Sequence, residues 1–384
     1  MSERKKAVMY GAGNIGRGFI GELFYKSGYD VVFIDVNAAV VDAINQNGQY
    51  PVTYVTGTGM EDVTVSRVRA VNGTDTAAVA AEIAECDIMA TAVGVNVLKY
   101  IAAPIAAGIA LRHGRALNIL LCENLIDAPK IFRSMVSQAL GKDAGLLSNT
   151  GFVETSIGRM VPVMTEEMKR GNPLRVCVEP YASLPADRNG FVGTPPDIAG
   201  MTAYDGFEFY IRRKLYIHNM GHAAAAYMGA LRGAEYIWQA IEIPDIRSIV
   251  RRAMMAAAEA LSRVYSVPLN ETEAYADDLL CRFGNRALGD TVARVGRDLD
   301  RKLSEYDRLA GALKLCCEQG INTLPVSIGI AAALSFEDGQ PGRVSELLGN
   351  GDKAAVLREV CGLPDSAAAD ILCMDSLVKI CLAR

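Results

Sequence analysis

The chain of 384 residues is poor in histidine, with only His113, His218 and His222, and its nine cysteines include no Cys-x-x-Cys pair. No spacing resembles a structural or catalytic zinc site, so no metal is expected. An excess of positive charge is also missing: 39 Lys and Arg stand against 44 Asp and Glu, a formal net charge of −5. Nucleic acids and anionic membranes usually require a concentrated basic face, and neither is expected as a partner. The longest apolar stretches, 101–111 and 323–335, are too short or too broken for a membrane span. No secretory leader is expected, because MSERKKAVMYGAG runs directly into a strand and a glycine turn. The cysteines are accordingly expected as free thiols in a reducing, cytoplasmic setting. There is no internal repeat and no low-complexity tract.

What is present suffices for two cored domains, with 51% hydrophobic and 22% charged residues. Residues 6–10 (KAVMY) form an apolar run that leads into Gly11-Ala12-Gly13-Asn14-Ile15-Gly16, followed by a helix closed by Gly28. A second strand, Val31 to Ile34, ends in Asp35, nineteen residues beyond Gly16. In such a strand–turn–helix, Gly11 allows the tight turn, Gly13 lets the backbone approach a pyrophosphate, and Gly16 permits close helix packing. Asn14 and Ile15, within the turn, are also expected to bind the cofactor, and the N-terminus of the helix that follows attracts the phosphates. Asp35 would accept from the adenosine ribose and repel a 2′-phosphate, which favours NAD over NADP. The bland alternative is a glycine-rich turn in some other α/β protein.

A helix is expected at 37–47, and 50–73 alternates around Gly57-Thr58-Gly59 as a β-hairpin inserted into the α/β plan. Helix 75–85 precedes a strand over 87–93. Its carboxyl end places Val93, Gly94 and the loop to Asn96 beside the cofactor. Helix 97–111 leads to strand 116–122, which ends in Cys122-Glu123-Asn124. Asn124 either emerges at the reactive edge of the sheet or caps the following helix. Cys122, at the end of a buried strand, reads as inert unless a base lies nearby. Segments 149–162 and 174–179 read as extended, and the Pro/Gly-rich 183–200 as a loop marking the boundary. The expected domains are 1–199, dinucleotide-binding, and 200–384, almost entirely helical from about 205.

Within the helical half, 206–229 crowds Lys214, Asn219 and His222 onto a segment whose apolar spacing reads as a helix. At α-helical spacing, 214, 218 and 222 share a face, and 219 neighbours 222. A lysine, an amide and an imidazole can then point into one cleft; the bland alternative is a solvated lysine and a packed histidine. The arginine-rich stretch 281–309 reads as a charged face paired with Asp290, Asp298, Asp300 and Asp307, with one or two arginines free to hold an anion.

The combination of GAGNIGRGFIG at 11–21, TAVG at 91–94, CEN at 122–124, KLYIHNMGHAAAAYMG at 214–229, and RFGN with DTVARVGRDLDRKL at 282–303 resembles the polyol-specific long-chain dehydrogenases. The resemblance runs from residue 6 to about 335. It implies an N-terminal Rossmann-type domain, a mostly α-helical C-terminal domain, an active site between them, NAD as cofactor and no metal. It further implies Lys214 as general base, Asn124 and Asn219 as the oxyanion hole, His222 as the group that positions the substrate hydroxyl, and Arg294 as an anion or hydroxyl contact. The implied reaction interconverts a polyol or polyol phosphate and its ketose, in the most specific form mannitol 1-phosphate and fructose 6-phosphate. A monomer or weak homo-oligomer is implied.

Two departures bear on the substrate. The family's Ser-x-Val-Asp-Arg-Ile-x-Pro appears as Ser156-Ile157-Gly158-Arg159-Met160-Val161-Pro162, with glycine for a substrate-binding carboxylate, and the usual Asn-Pro is Asn285-Arg286. A hexonate oxidoreductase and a catalytically silent NADH sensor are therefore alternative readings.

Overall fold

The computed structural model describes residues 4–57, 59–162 and 164–382. The chain forms two compact units that part between Phe207 and Glu208.

The first unit is built on a six-stranded sheet. Its strands are β1 (Lys6–Tyr10) and β2 (Asp30–Asp35), then, after β3 (Gln49–Thr56) and β4 (Gly59–Ser66), β5 (Val68–Asn72), β6 (Ile88–Thr91), β7 (Leu117–Leu121) and β8 (Thr150–Glu154). All pairings in the sheet are parallel, in the order β5-β2-β1-β6-β7-β8. Counting only its own strands, this is the 3-2-1-4-5-6 order of a dinucleotide-binding Rossmann sheet.

Parallel strands covered on both faces read as continuous apolar runs, and β1 does so. Ala7 and Met9 enter the core on one face, Val8 and Tyr10 the core on the other. Burying a side chain the size of Val8 or Met9 contributes about 1.5–3 kcal/mol. The crossover helices begin where local chemistry dictates. The Asn37 side chain caps Ala38–Asn47, which ends at Gly48 with φ +61°, and the Asp75 side chain caps Thr76–Glu85.

Two expectations are corrected. The alternating stretch 50–73 is not one hairpin: β3 and β4 pair antiparallel, but 68–72 is β5, a strand of the main sheet bonded to β2. The chain turns the corner at Arg67, a non-glycine residue with φ +57°. Thr58, at the tip of the hairpin, lies outside the described residues. β9 (Val176–Val178) then adds to β3 to make a three-stranded sheet. The stretch 183–200 is not wholly loop, for β10 (Leu184–Asp187) pairs in parallel with β11 (Met201–Tyr204).

Among its described residues the second unit has helices joined by loops and no strand. Its longest described helix, Pro244–Tyr265, starts on a proline at its first position and buries Ile246, Val250, Ala253, Met254, Ala257 and Leu261. That is the three-and-four spacing of a core-facing stripe. Against it lies the helical stretch that carries Lys214. A Cβ on Gly221 would stand 2.5 Å from the Met254 sulfur, so any larger residue there would have to push the Met254 side chain aside.

Candidate functional site

The first unit offers a dinucleotide cradle at the carboxyl edge of its sheet, where the chain leaves β1 and β6 on either side of the topological switch point. Gly11 adopts φ +103°, and a Cβ there would meet the Ala92 carbonyl oxygen at 2.5 Å. At Gly16 a Cβ would lie 1.9 Å from the Gly11 carbonyl oxygen, which locks the helix start under the turn. Gly13 differs: a Cβ there meets nothing within 4 Å, and Gly13 and Asn14 are exposed. The helix starts at Asn14, passes Ile15 and makes a π-turn over Gly16–Ile20. Its first backbone N–H groups have no intrahelical acceptor.

Asp35 ends β2 half-buried. Its Oδ2 accepts from Ala12 N at 2.7 Å and its Oδ1 from Asn37 N at 2.9 Å. The carboxylate is thus fixed beside the turn, and each oxygen keeps a lone pair for a ribose hydroxyl. Val93 and Gly94 follow β6, with Gly94 at φ +90°. The buried Glu123 ties this loop to the end of β7, accepting from Thr91 Oγ1 at 2.8 Å and from Val93 N at 3.1 Å. Burial raises the Glu123 carboxyl above its ordinary range. These residues fit a dinucleotide.

Asn124 is exposed just beyond Glu123. It does not cap the next helix: Ala128–Leu140 has Asp127 at its N-cap. Cys122 is buried, with its sulfur 3.6 Å from Thr155 Oγ1. Glu154, at the end of β8, has one buried oxygen without a hydrogen-bond partner, and burial together with Asp127 and Asp187 pushes its carboxyl up to about 7.

In the second unit, Lys214, Asn219 and His222 lie half-buried on a helical stretch that is not α-helical throughout. Glu208–Arg213 is α, Lys214–Asn219 is a π-turn, and Met220–Leu231 is α again. A π-turn closes i to i+5, so Lys214 stacks on Asn219 rather than on His218. From Asn219 the α spacing of three then reaches His222. His218, set by α spacing on the lysine's face, is instead buried, its Nδ1 without a hydrogen-bond partner. Burial, and then Arg282, His222, Lys214 and Arg308, hold its pKa well below the ordinary value, which makes it a neutral packing residue.

The His222 ring stacks on Phe283, centroids 4.8 Å apart and planes at 11°. Its Nε2 lies 3.1 Å from Asp290 Oδ2. The other Asp290 oxygen accepts from Arg294 Nε at 2.7 Å and from Nη2. Burial raises the Asp290 carboxyl, but His222 and Arg294 outweigh it and hold the group below its usual range. Arg294, expected as a substrate contact, and His222 both bond Asp290, expected as an arginine partner. Lys302 escaped the sequence reading. It is buried and donates to the Val295 carbonyl, and burial with Arg308, Arg301 and Arg294 lowers its pKa to about 7. In the sequence it is one cation in a charged run.

The two departures have local explanations. A Cβ on Gly158 would meet the Tyr181 ring at 3.1 Å, so Tyr181 covers the position of the missing carboxylate. Arg159 beside it is wholly buried and bonds Glu22 at 2.6 Å. Arg286 is largely exposed, pairs with Glu242 at 2.5 Å and lies 4.4 Å over the Trp238 ring. Among the described residues no cluster of three or more His, Cys, Asp or Glu is arranged to hold a metal, and no helix is long and apolar enough to cross a membrane.

Comparison with known proteins matches residues 5–200 to the mannitol dehydrogenase Rossmann domain and 207–361 to the mannitol dehydrogenase C-terminal domain. Mannitol-1-phosphate 5-dehydrogenase of Bacillus licheniformis is 38% identical over 368 residues, 94% of this chain and 96% of the relative. The Bacillus subtilis protein of the same name is 37% identical over 364 residues, 93% and 95% of the two chains. Among solved structures, a substrate-free D-sorbitol dehydrogenase superposes with a TM-score of 0.83 at 15% identity, covering 97% of this chain and 94% of that one. Pseudomonas fluorescens mannitol 2-dehydrogenase, solved with NAD and D-mannitol, gives 0.75 at 16%, covering 99% and 94%. At such identities the structural likeness speaks for the fold, while the sequence matches span nearly the whole chain. The chain belongs to the mannitol dehydrogenase family of polyol dehydrogenases.

Proposed function

We propose that this protein is an NAD-dependent oxidoreductase that interconverts mannitol 1-phosphate and fructose 6-phosphate, with Lys214 as general base and no metal. The observation that carries the reading is the π-turn at Lys214–Asn219, which stacks a lysine and an amide with an imidazole one turn on. The name borne by relatives at 37–38% identity supports the substrate.

NAD, when bound, accepts the hydride. The open N–H groups at Asn14 and Ile15 would hold its pyrophosphate, and Asp35 its adenosine ribose. Oxidation of a secondary alcohol also releases the hydroxyl proton. Lys214 Nζ, in its neutral form, takes that proton as general base. Asn219 and Asn124 donate amide hydrogens to the developing alkoxide, and His222 and Arg294 bind neighbouring hydroxyls. In the reverse direction Lys214 returns the proton to the ketose oxygen.

The test is NADH oxidation over fructose 6-phosphate, fructose, other ketoses and keto sugar acids. Fructose 6-phosphate should give the highest kcat/KM. A preference for a keto sugar acid would move the protein to hexonate chemistry, and NADH binding without turnover on any of them would make it a sensor.

A further inference from the structure

One carboxylate joins two of the side chains assigned above to the polyol. Asp290 follows Gly289, which has φ +57°, and precedes the short helix Val292–Gly296. Its backbone is clamped: its carbonyl accepts from Ile237 N at 2.9 Å, and Thr291 bridges antiparallel to Tyr236. The side chain is 11% exposed and has no freedom to wander. Oδ2 faces His222 Nε2 at 3.1 Å, and Oδ1 takes Nε and Nη2 of Arg294. Phe283 fixes the plane of the His222 ring, so the Asp290 bond fixes its rotation within that plane.

A carboxylate accepts but cannot donate, so the proton on this edge of the imidazole belongs to Nε2. In the neutral ring Nδ1 is then an acceptor. Arg294 has no acceptor, and Asp290 takes its Nε and Nη2, which leaves Nη1 to donate. The pair presents one acceptor and one donor, the complement of two hydroxyls on a polyol.

We propose that Asp290 is a positioning residue: its carboxylate fixes His222 as the Nε2–H tautomer, with Nδ1 accepting from a substrate hydroxyl, and holds the Arg294 guanidinium as the neighbouring donor. The proposal rests on the polyol reading of His222 and Arg294. An aspartate that sets a histidine tautomer acts through that histidine without touching substrate; at metal-bound histidines, removing such a support typically costs roughly 10- to 100-fold.

The chain has only three histidines, so a spectrum of protein labelled with 15N-histidine resolves the question directly. Buried His218 and exposed His113 are assigned by His218→Asn and His113→Asn. In the substrate-free wild type at pH 8, His222 is expected as Nε2–H. Asp290→Asn should shift that tautomer balance and lower kcat/KM for fructose 6-phosphate about 10- to 100-fold, chiefly through KM, with NADH affinity unchanged. Asp290→Glu should restore part of the loss. A wild-type His222 protonated at Nδ1, or an Asp290→Asn kcat/KM within about twofold of wild type, overturns the proposal. The tautomer is read without substrate and on the unmutated chain, so it decides even where Asp290→Asn folds poorly. Wild-type protein inactive on every ketose would sink the functional reading instead, whatever the tautomer.

Discussion

Asp35 serves the fold and the proposed cofactor with the same two oxygens. Its bonds to Ala12 N and Asn37 N fix the carboxylate beside the glycine turn, where a 2′-phosphate would meet negative charge. Asp35→Ala should relax discrimination against NADP, raising the NADP:NAD ratio of kcat/KM about tenfold or more. An unchanged ratio, with the fold intact by circular dichroism, would remove Asp35 from the ribose site. Residue types in the sequence pointed to Lys214, Asn219 and His222, but not to what holds them. Asp290 stands 68 positions from His222, and no periodicity relates residues so far apart. Lys302 was hidden for a different reason: burial is what distinguishes it, and within an arginine-rich run its neighbours resemble those of a solvated lysine.

At the scale of elements, the glycine turn separates folding from binding. Gly16 meets the Gly11 carbonyl oxygen, so Gly16→Ala should cost stability, about 1–3 kcal/mol by the usual measure of overpacking. Gly13 faces open space, so Gly13→Ala should leave the melting temperature of the ligand-free protein within about a degree while weakening NADH binding about tenfold or more. Thermal melts and NADH titration check both; a large loss of melting temperature in Gly13→Ala would mean the space is not reserved for a ligand. Most helices and strands were legible, because parallel strands are apolar runs and helix starts carry Asn37 or Asp75 caps. The miss at 68–72 came at Arg67, whose left-handed backbone turns the chain without the glycine that usually announces such a corner. The π-turn was equally silent. No residue type marks an extra residue in a helix, and the α spacing through His218 was misleading for that reason.

At the scale of the molecule, the first unit is tied together by a buried charge cluster. Glu22, on the helix after the glycine turn, bonds Arg159 at 2.6 Å, Lys26 at 2.5 Å and the Tyr54 hydroxyl of β3. Arg159 also donates to the Gly18 carbonyl at 2.8 Å and the Tyr181 carbonyl at 2.5 Å, joining 155–162 and the segment after β9 to that helix. Burial raises the Glu22 carboxyl, but Arg159, Lys26 and Tyr54 prevail and hold it below its ordinary value. A depressed carboxylate contributes stability above its unfolded pKa, near 4.5, and loses it as pH falls through the folded value. Glu22→Gln leaves Arg159 buried without its counter-charge, and should cost about 3–5 kcal/mol at pH 7 and progressively less below pH 4. Urea unfolding at the two pH values measures this, and equal costs at both would assign the loss to packing.

The most direct measurement compares wild type and Lys214→Ala, each with NADH and fructose 6-phosphate, for turnover and for NADH affinity by fluorescence titration. With Lys214 as the base, turnover falls at least about 1,000-fold, in the range of a lost general base with its charge, while the NADH Kd stays within about twofold. Equal loss of turnover and NADH binding, or turnover retained within tenfold, would make Lys214 a structural lysine and contradict the account.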